Sequence, residues 1–187
     1  MAESMTDLLA DFERIKRALD VAEDVDGERA SKRMLPAKAT DIVKLEKSKG
    51  LKLPPSYQEF LLHSDGWARF WGAMWIAGTG GKAHKYVQGQ IKHWRKYLNK
   101  PHGEDDLDFD RHFIIGADDN GGFLAFSHEA DARGEREVLD MPRGFVENRW
   151  PTFRAFAEAQ RKYRAHDLQK LTAPKQRSSP KKRSVGK

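Results

Sequence analysis

The chain has 187 residues, with 34 Lys and Arg against 28 Asp and Glu, a net charge of +6 and no cysteine. The length suits one domain with appendages, and the missing thiols exclude a disulfide scaffold, Cys-ligated zinc, iron–sulfur clusters and thiol catalysis. No apolar run approaches the ~20 residues of a membrane helix, and the opening MAESMTDLLADFERIK has no signal-peptide core, so the expectation is a cytoplasmic protein without a membrane span.

The charge is unevenly placed. Residues 161–187 hold ten basic side chains and one acidic, a net +9, whereas residues 1–160 hold 24 basic and 27 acidic, a net −3. The whole-chain sign suggests a nucleic-acid binder, yet the body expected to fold is mildly acidic and the excess belongs to the C-terminal end.

In chain order, Met5, Leu8, Leu9, Phe12, Ile15 and Leu19 repeat at three and four residues, the stripe of an amphipathic helix ending before Gly27. A polar connection leads to Thr40, read as the N-cap of a second helix that uses Ile42, Val43, Leu45 and the stem of Lys49 and closes on Gly50. Pro54-Pro55 stops that segment and opens a third helix, Pro55 to His63, burying Tyr57, Phe60 and Leu61 before Ser64-Asp65-Gly66 breaks it. Trp67, Phe70, Trp71 and Trp75 lead into a strand-like AMWIAG, and Tyr86, Val87, Ile91, Trp94 and Leu98 then keep helical spacing. After an acidic loop, HFIIGA and GFLAFS flank an Asn-Gly turn, EREVLDM reads as a further strand and FVEN (145–148) as a fragment of another. Pro151 at N1 opens a last helix with Phe153, Phe156 and Tyr163 inward, fading after Leu171. There is no internal repeat.

Helices first, antiparallel strands later and a closing helix predict an α+β fold: a single domain, mainly an antiparallel or mixed sheet with helices packed on it, preceded by an N-terminal helix and followed by a disordered basic tail. The expected division is 1–34 for the N-terminal helix and linker, 35–171 for the domain and 172–187 for the tail.

Catalytic and cofactor signals fail on spacing. In GTGGKAHK, Gly81-Lys82 is followed by Ala83 where a Walker motif needs Ser or Thr, and Gly78, Gly80 and Ala83 imitate a dinucleotide fingerprint weakly, so a Gly-rich turn is the plainer reading. Asp106, Asp108 and Asp110 imitate the start of a calcium loop, but Arg111 and Ala117 stand where Gly and Glu are required. The seven His form no HExxH or i,i+4 pair. The expectation is therefore no catalytic residue, no cofactor, no metal and no enzyme. Three Trp within nine residues read first as core, with Trp71 or Phe70 as a partly exposed partner anchor. In the tail, Lys175, Arg177, Lys181, Lys182 and Arg183 suit sequence-independent contact with phosphate or another anionic surface, if the tail does more than solubilise.

One stretch is more specific. Thr40-Asp41-Ile42, Leu45-Glu46, Gly50-Leu51-Lys52-Leu53-Pro54-Pro55-Ser56-Tyr57-Gln58-Glu59-Phe60-Leu61 and Ser64-Asp65-Gly66 resemble the entry signature of the SUKH superfamily, with Asp65 in place of its usual Asn. Ile115 to Asp118, Gly122 to Phe126, Glu137 to Leu139 and Pro151 to Phe156 resemble the family's strands and final helix, so the resemblance covers roughly residues 35–160. It implies a non-enzymatic α+β binding domain; family members with known roles are mostly bacterial immunity proteins that block a cognate toxin, often a nuclease, with yeast cell-wall regulators of the Smi/Knr type as a second branch. An acidic body favours the immunity role, since carboxylates match the basic cleft of a nuclease. The expected contacts are Asp105, Asp106, Asp108, Asp118 and Asp119, with Trp71 as apolar anchor. The alternative is a regulatory or scaffold protein whose domain docks a protein while the tail holds nucleic acid or an anionic surface.

Overall fold

The computed structural model describes residues 3–27, 29–98 and 106–173. Five helices, α1 (Met5–Ala22), α2 (Ala39–Lys49), α3 (Pro55–His63), α4 (Gly81–Leu98) and α5 (Phe153–Thr172), accompany seven strands. These are β1 (Lys32–Arg33), β2 (Trp67–Trp71), β3 (Met74–Ile76), β4 (Phe113–Ala117), β5 (Gly122–Phe126), β6 (Val138–Pro142) and β7 (Asn148–Trp150), in a sheet ordered β1 to β7 as in the sequence. All six pairings are antiparallel. The fold is therefore α+β, as expected.

The α1 stripe is buried as its spacing requires, with Leu8 and Leu9 at 0% exposure. Ser4 caps the helix by accepting from the Asp7 N–H at 3.1 Å. α1 packs on α5, where Arg161 pairs with Glu3 at 2.7 Å and reaches Asp11 at 3.7 Å. α3 has the predicted bounds, with Pro55 in its first turn. Glu135, on the β5–β6 connection, accepts from the backbone N–H and the hydroxyl of Ser56, satisfying donors that a helix start leaves free.

The sheet buries both faces. On one lie α1, α2, α3 and α5 around Phe12, Tyr57, Phe60, Trp67, Phe70, Phe126, Phe153 and Phe156. On the other, Val87 of α4 and the apolar residues Leu107 and Phe109 pack against Ala117, Phe123, Leu139 and Met141. Aromatic contacts knit the first face: Phe12 lies 4.4 Å from Phe70, and Phe60 4.9 Å from Phe153.

Several local expectations are corrected. Thr40 is an exposed residue in the first turn of α2, because the turn closes on the Lys38 carbonyl, which accepts from Asp41 N–H and Ile42 N–H. Val43 points outward at 44% exposure, and Glu46 takes the inward place instead. The 145–148 fragment is strand only at Asn148, where β7 begins and continues to Trp150; Arg143 and Gly144 turn the chain at positive φ, Phe145 makes an isolated bridge to Asp106, and residues 146–147 are irregular. Pro151 precedes the α5 N-cap Thr152, whose side chain accepts from Ala155 N–H. Tyr163 is 61% exposed because no α5 residue beyond Gln160 is buried. Four of the basic residues counted with the tail, Arg161, Lys162, Arg164 and Lys170, belong to α5.

Candidate partner-binding surfaces

The signature stretch builds structure rather than surface. Tyr57 is 1% exposed and its hydroxyl donates to the Ala77 carbonyl at 2.8 Å, tying α3 on one face to the strand end leading into α4 on the other. Burial, then the nearby Asp65 charge, pushes this phenol well above its ordinary range. Glu46 accepts from Lys52 at 2.8 Å and from the Leu53 N–H at 3.0 Å. The Lys52 hydrogen bond is the main reason its carboxyl sits below the ordinary value, against the effect of burial.

Asp65-Gly66 closes onto the GTGG loop. The Asp65 carboxylate accepts the Thr79 N–H, and a Cβ at Gly66 would meet the Ala83 Cβ at 2.6 Å while one at Gly78 would meet the Asp65 carbonyl at 2.2 Å. These glycines allow two backbones to touch. The phosphate-loop resemblance fails here, because a carboxylate already occupies an N–H group that a phosphate would need. A shallow hollow of ≈ 580 Å³ beside the loop is walled by Lys44, Ser48 and Lys49 of α2 and by His84 of α4.

Of the predicted contacts, Asp105 lies outside the described residues, as do Lys175, Arg177, Lys181, Lys182 and Arg183. Asp106 is half-buried and bridges to Phe145. Leu107 N–H donates to the Gly144 carbonyl and Arg143 N–H to that of Gly121, so Asp106 and the β4–β5 turn carrying Asp118 and Asp119 lie toward the same end of the sheet. Asp108 leads away, beside α4, with its carboxylate accepting the Asp110 N–H, and Asp110 pairs with Arg95 at 2.9 Å. Asp118 closes its own turn by accepting from Asn120 N–H and Gly122 N–H, both at 2.8 Å. Asp119 is exposed and forms no hydrogen bond or ion pair among the described residues.

The acidic segment is thus no freely solvated loop. Leu107 and Phe109 are buried at 2% and 8% exposure, and the alternation Asp106-Leu107-Asp108-Phe109-Asp110 is the signal that could have revealed this. At the same sheet end Asp140, 5% exposed, has its carboxyl raised above the ordinary range by burial and then, against its bond from Asn148, by the charges of Glu147 and Asp118. No group of three His, Asp or Glu among the described residues is arranged to hold a metal, and no described helix is long and apolar enough to cross a membrane.

Trp71 is half-buried against the main core, whereas Phe70 is fully buried and offers nothing to a partner. Trp67 is 1% exposed and donates to the Ser31 hydroxyl. Trp75 stacks on Tyr86 of α4 at 4.3 Å on the opposite face.

No curated protein matches the chain. A family model does, over residues 36–159, a span from the start of α2's approach through the buried half of α5. With that match covering more than half of the sequence, the chain belongs to the SMI1 / KNR4 family (SUKH-1).

Proposed function

We propose that this chain is a non-enzymatic binding protein of the cytoplasm that neutralises a cognate toxin domain, of nuclease type, by direct protein–protein contact. The observation that carries the reading is membership of the SMI1 / KNR4 family, which is consistent with an immunity-type role. Asp106 and Asp119, with the neighbouring Glu147, give one end of the sheet a negative character suited to a basic substrate cleft. Asp118 contributes charge there although its carboxylate is committed to the turn. Trp71 contributes only the exposed part of its ring.

Co-expression with the toxin encoded beside its gene tests this. Protection of the cells and co-purification of the two proteins are expected, and Asp119→Lys is expected to weaken the complex. Failure to bind any toxin domain encoded next door overturns the reading. Removal of residues 174–187, with Lys175, Arg177, Lys181, Lys182 and Arg183, is expected to leave neutralisation intact; loss of function on truncation favours the scaffold alternative.

A further inference from the structure

α4 has an outward face that the toxin-binding reading does not use. The helix carries Lys82, Lys85, Lys92, Arg95 and Lys96 and no acidic residue. At 100° per residue, Lys82, Lys85, Lys92 and Lys96 fall on one side, opposite the buried Ala83 and Val87, and all four are exposed. They form a ridge about 21 Å long at 1.5 Å per residue.

Folding does not call for this ridge. α1, α2 and α5 each hold ion pairs within the helix, such as Arg17 with Glu13 and Lys44 with Asp41. The ridge has none: Lys85 and Lys92 form no ion pair among the described residues. Lys82–Lys85 and Lys92–Lys96 are like-charge pairs at three and four residues, a spacing that weakens a helix. Lys82 and Lys85 also lie near the N-terminus, where the helix dipole disfavours cations. An anion lying along the face would reverse both penalties.

We propose that this ridge binds the sugar–phosphate backbone of single-stranded nucleic acid without regard to sequence. A protein patch would be expected to bring an apolar centre, but the ridge has only Gly89 and His93 between its lysines, which suits a hydrated polyanion. Along one flank stand aromatic rings: Tyr97, 62% exposed and 5.7 Å from His93, and the Trp75–Tyr86 stack with Lys82 above Trp75. Cations beside aromatic faces are the means by which proteins hold unpaired bases, and a duplex would hide the base faces from Tyr97. This inference is independent of the toxin reading.

The test is fluorescence anisotropy with the full chain and a labelled mixed-sequence DNA of about 20 nucleotides, single-stranded or as duplex, between about 50 and 200 mM salt. The variant K82Q/K85Q/K92Q/K96Q keeps good helix formers, and K82R/K85R/K92R/K96R keeps the charge; melting followed by circular dichroism reports on folding. At about 0.7 released counterions per phosphate for single strands, the Gln variant is expected to flatten the slope of log affinity against log salt by about 3 and to bind at least ten-fold more weakly at low salt. The Arg variant is expected to bind as the parent does. Tyr97→Ala is expected to lose about five-fold or more on the single strand and nothing on the duplex. The tail is present in every variant, so equal binding by the parent and the Gln variant assigns any affinity to the tail and overturns the proposal. Capture of an acidic protein but no oligonucleotide through these lysines also overturns it, and so does a Tyr97→Ala variant that binds both DNAs undiminished.

Discussion

The two faces of the sheet are built differently. One is covered by four helices and holds eight fully buried aromatic side chains among the described residues, from Trp67 and Tyr57 to Phe153 and Phe156. The other is covered by α4 and the 106–112 segment, with Phe123 as its only fully buried aromatic side chain among the described residues. The thick face takes up nearly all of the family signature, so those residues explain why the chain folds and say little about its partner. The thin face and the sheet end beside it carry the unpaired lysines of α4 and the carboxylates of Asp106 and Asp119. Recognition is therefore sought where the core is least demanding.

The largest effect should come from α1, which lies outside the matched segment yet supplies Phe12 to the thick face. Phe12 is 1% exposed and sits 4.4 Å from Phe70 and 5.6 Å from Trp67. Phe12→Ala should cost about 3–5 kcal/mol by urea unfolding, whereas Ile91→Ala on the partly buried side of α4 should cost less than about 2 kcal/mol. The division at residue 35 is a proposal that the same measurement tests: a loss below about 1 kcal/mol for Phe12→Ala would make α1 an appended arm, and a larger loss makes it part of the domain.

Next in size is the bond that joins the two faces. Tyr57→Phe leaves the Ala77 carbonyl without the phenol and should cost about 1–2 kcal/mol. The phenol's folded-state pKa lies above its unfolded value of 10.0, so the folded state favours the neutral form. The contribution is constant below pH 10 and falls as pH rises past it. Stability of the parent should therefore drop more steeply than that of Tyr57→Phe in alkaline urea titrations; parallel curves would mean that the hydroxyl is not held as described.

How much of this was legible follows the same contrast. Pro55 and Ser64-Asp65-Gly66 punctuate α3, so its bounds could be read locally, and the α1 stripe needed only its period. β1 could not be found, because Lys32 and Arg33 carry no apolar pattern and join the sheet by backbone pairing with Ala68 and Trp67. Glu135 serves Ser56 across 79 residues of sequence, a distance no local pattern spans. At the candidate surface the carboxylates were visible as charges, but their commitments were not: Asp118 spends its acceptors on a turn, Asp110 on Arg95, and Asp119 on neither. The lysine ridge was readable as a helix without acids, yet a charge total over residues 1–160 averaged it away.

A smaller effect is expected in β2. Its register with β3 slips between Trp67 and Trp71, and within that bulge Arg69 is held at φ 52°. That conformation lets both Trp67 and Phe70 enter the thick core, at a cost of about 1–2 kcal/mol for a side chain with a Cβ. Arg69→Gly removes the strain but loosens the unfolded chain, so the net gain should be about 0.5–1 kcal/mol in urea unfolding. A loss of stability would show that the Arg69 side chain holds the bulge by contacts that outweigh its backbone.

The smallest effect concerns the acidic sheet end. Asp140 is nearly buried, bonded to Asn148 at 3.1 Å, and near the charges of Glu147 and Asp118. Its folded-state pKa lies above the unfolded value of 3.8, so the ionised form opposes folding: stability is fullest below that value and is lost as pH rises through the folded pKa. Asp140→Asn keeps an acceptor and removes the charge. At pH 7 it should raise stability by up to about 1 kcal/mol, a melting-temperature increase of roughly 2–4 °C, and the difference should vanish near pH 3. Asp140→Asn that is neutral or destabilising at pH 7 would mean that the carboxylate is better accommodated than its neighbours suggest. A gain in stability accompanied by weaker toxin binding would place Asp140 among the charges that give this end of the sheet its negative character, and would separate the demands of folding from those of recognition within one side chain.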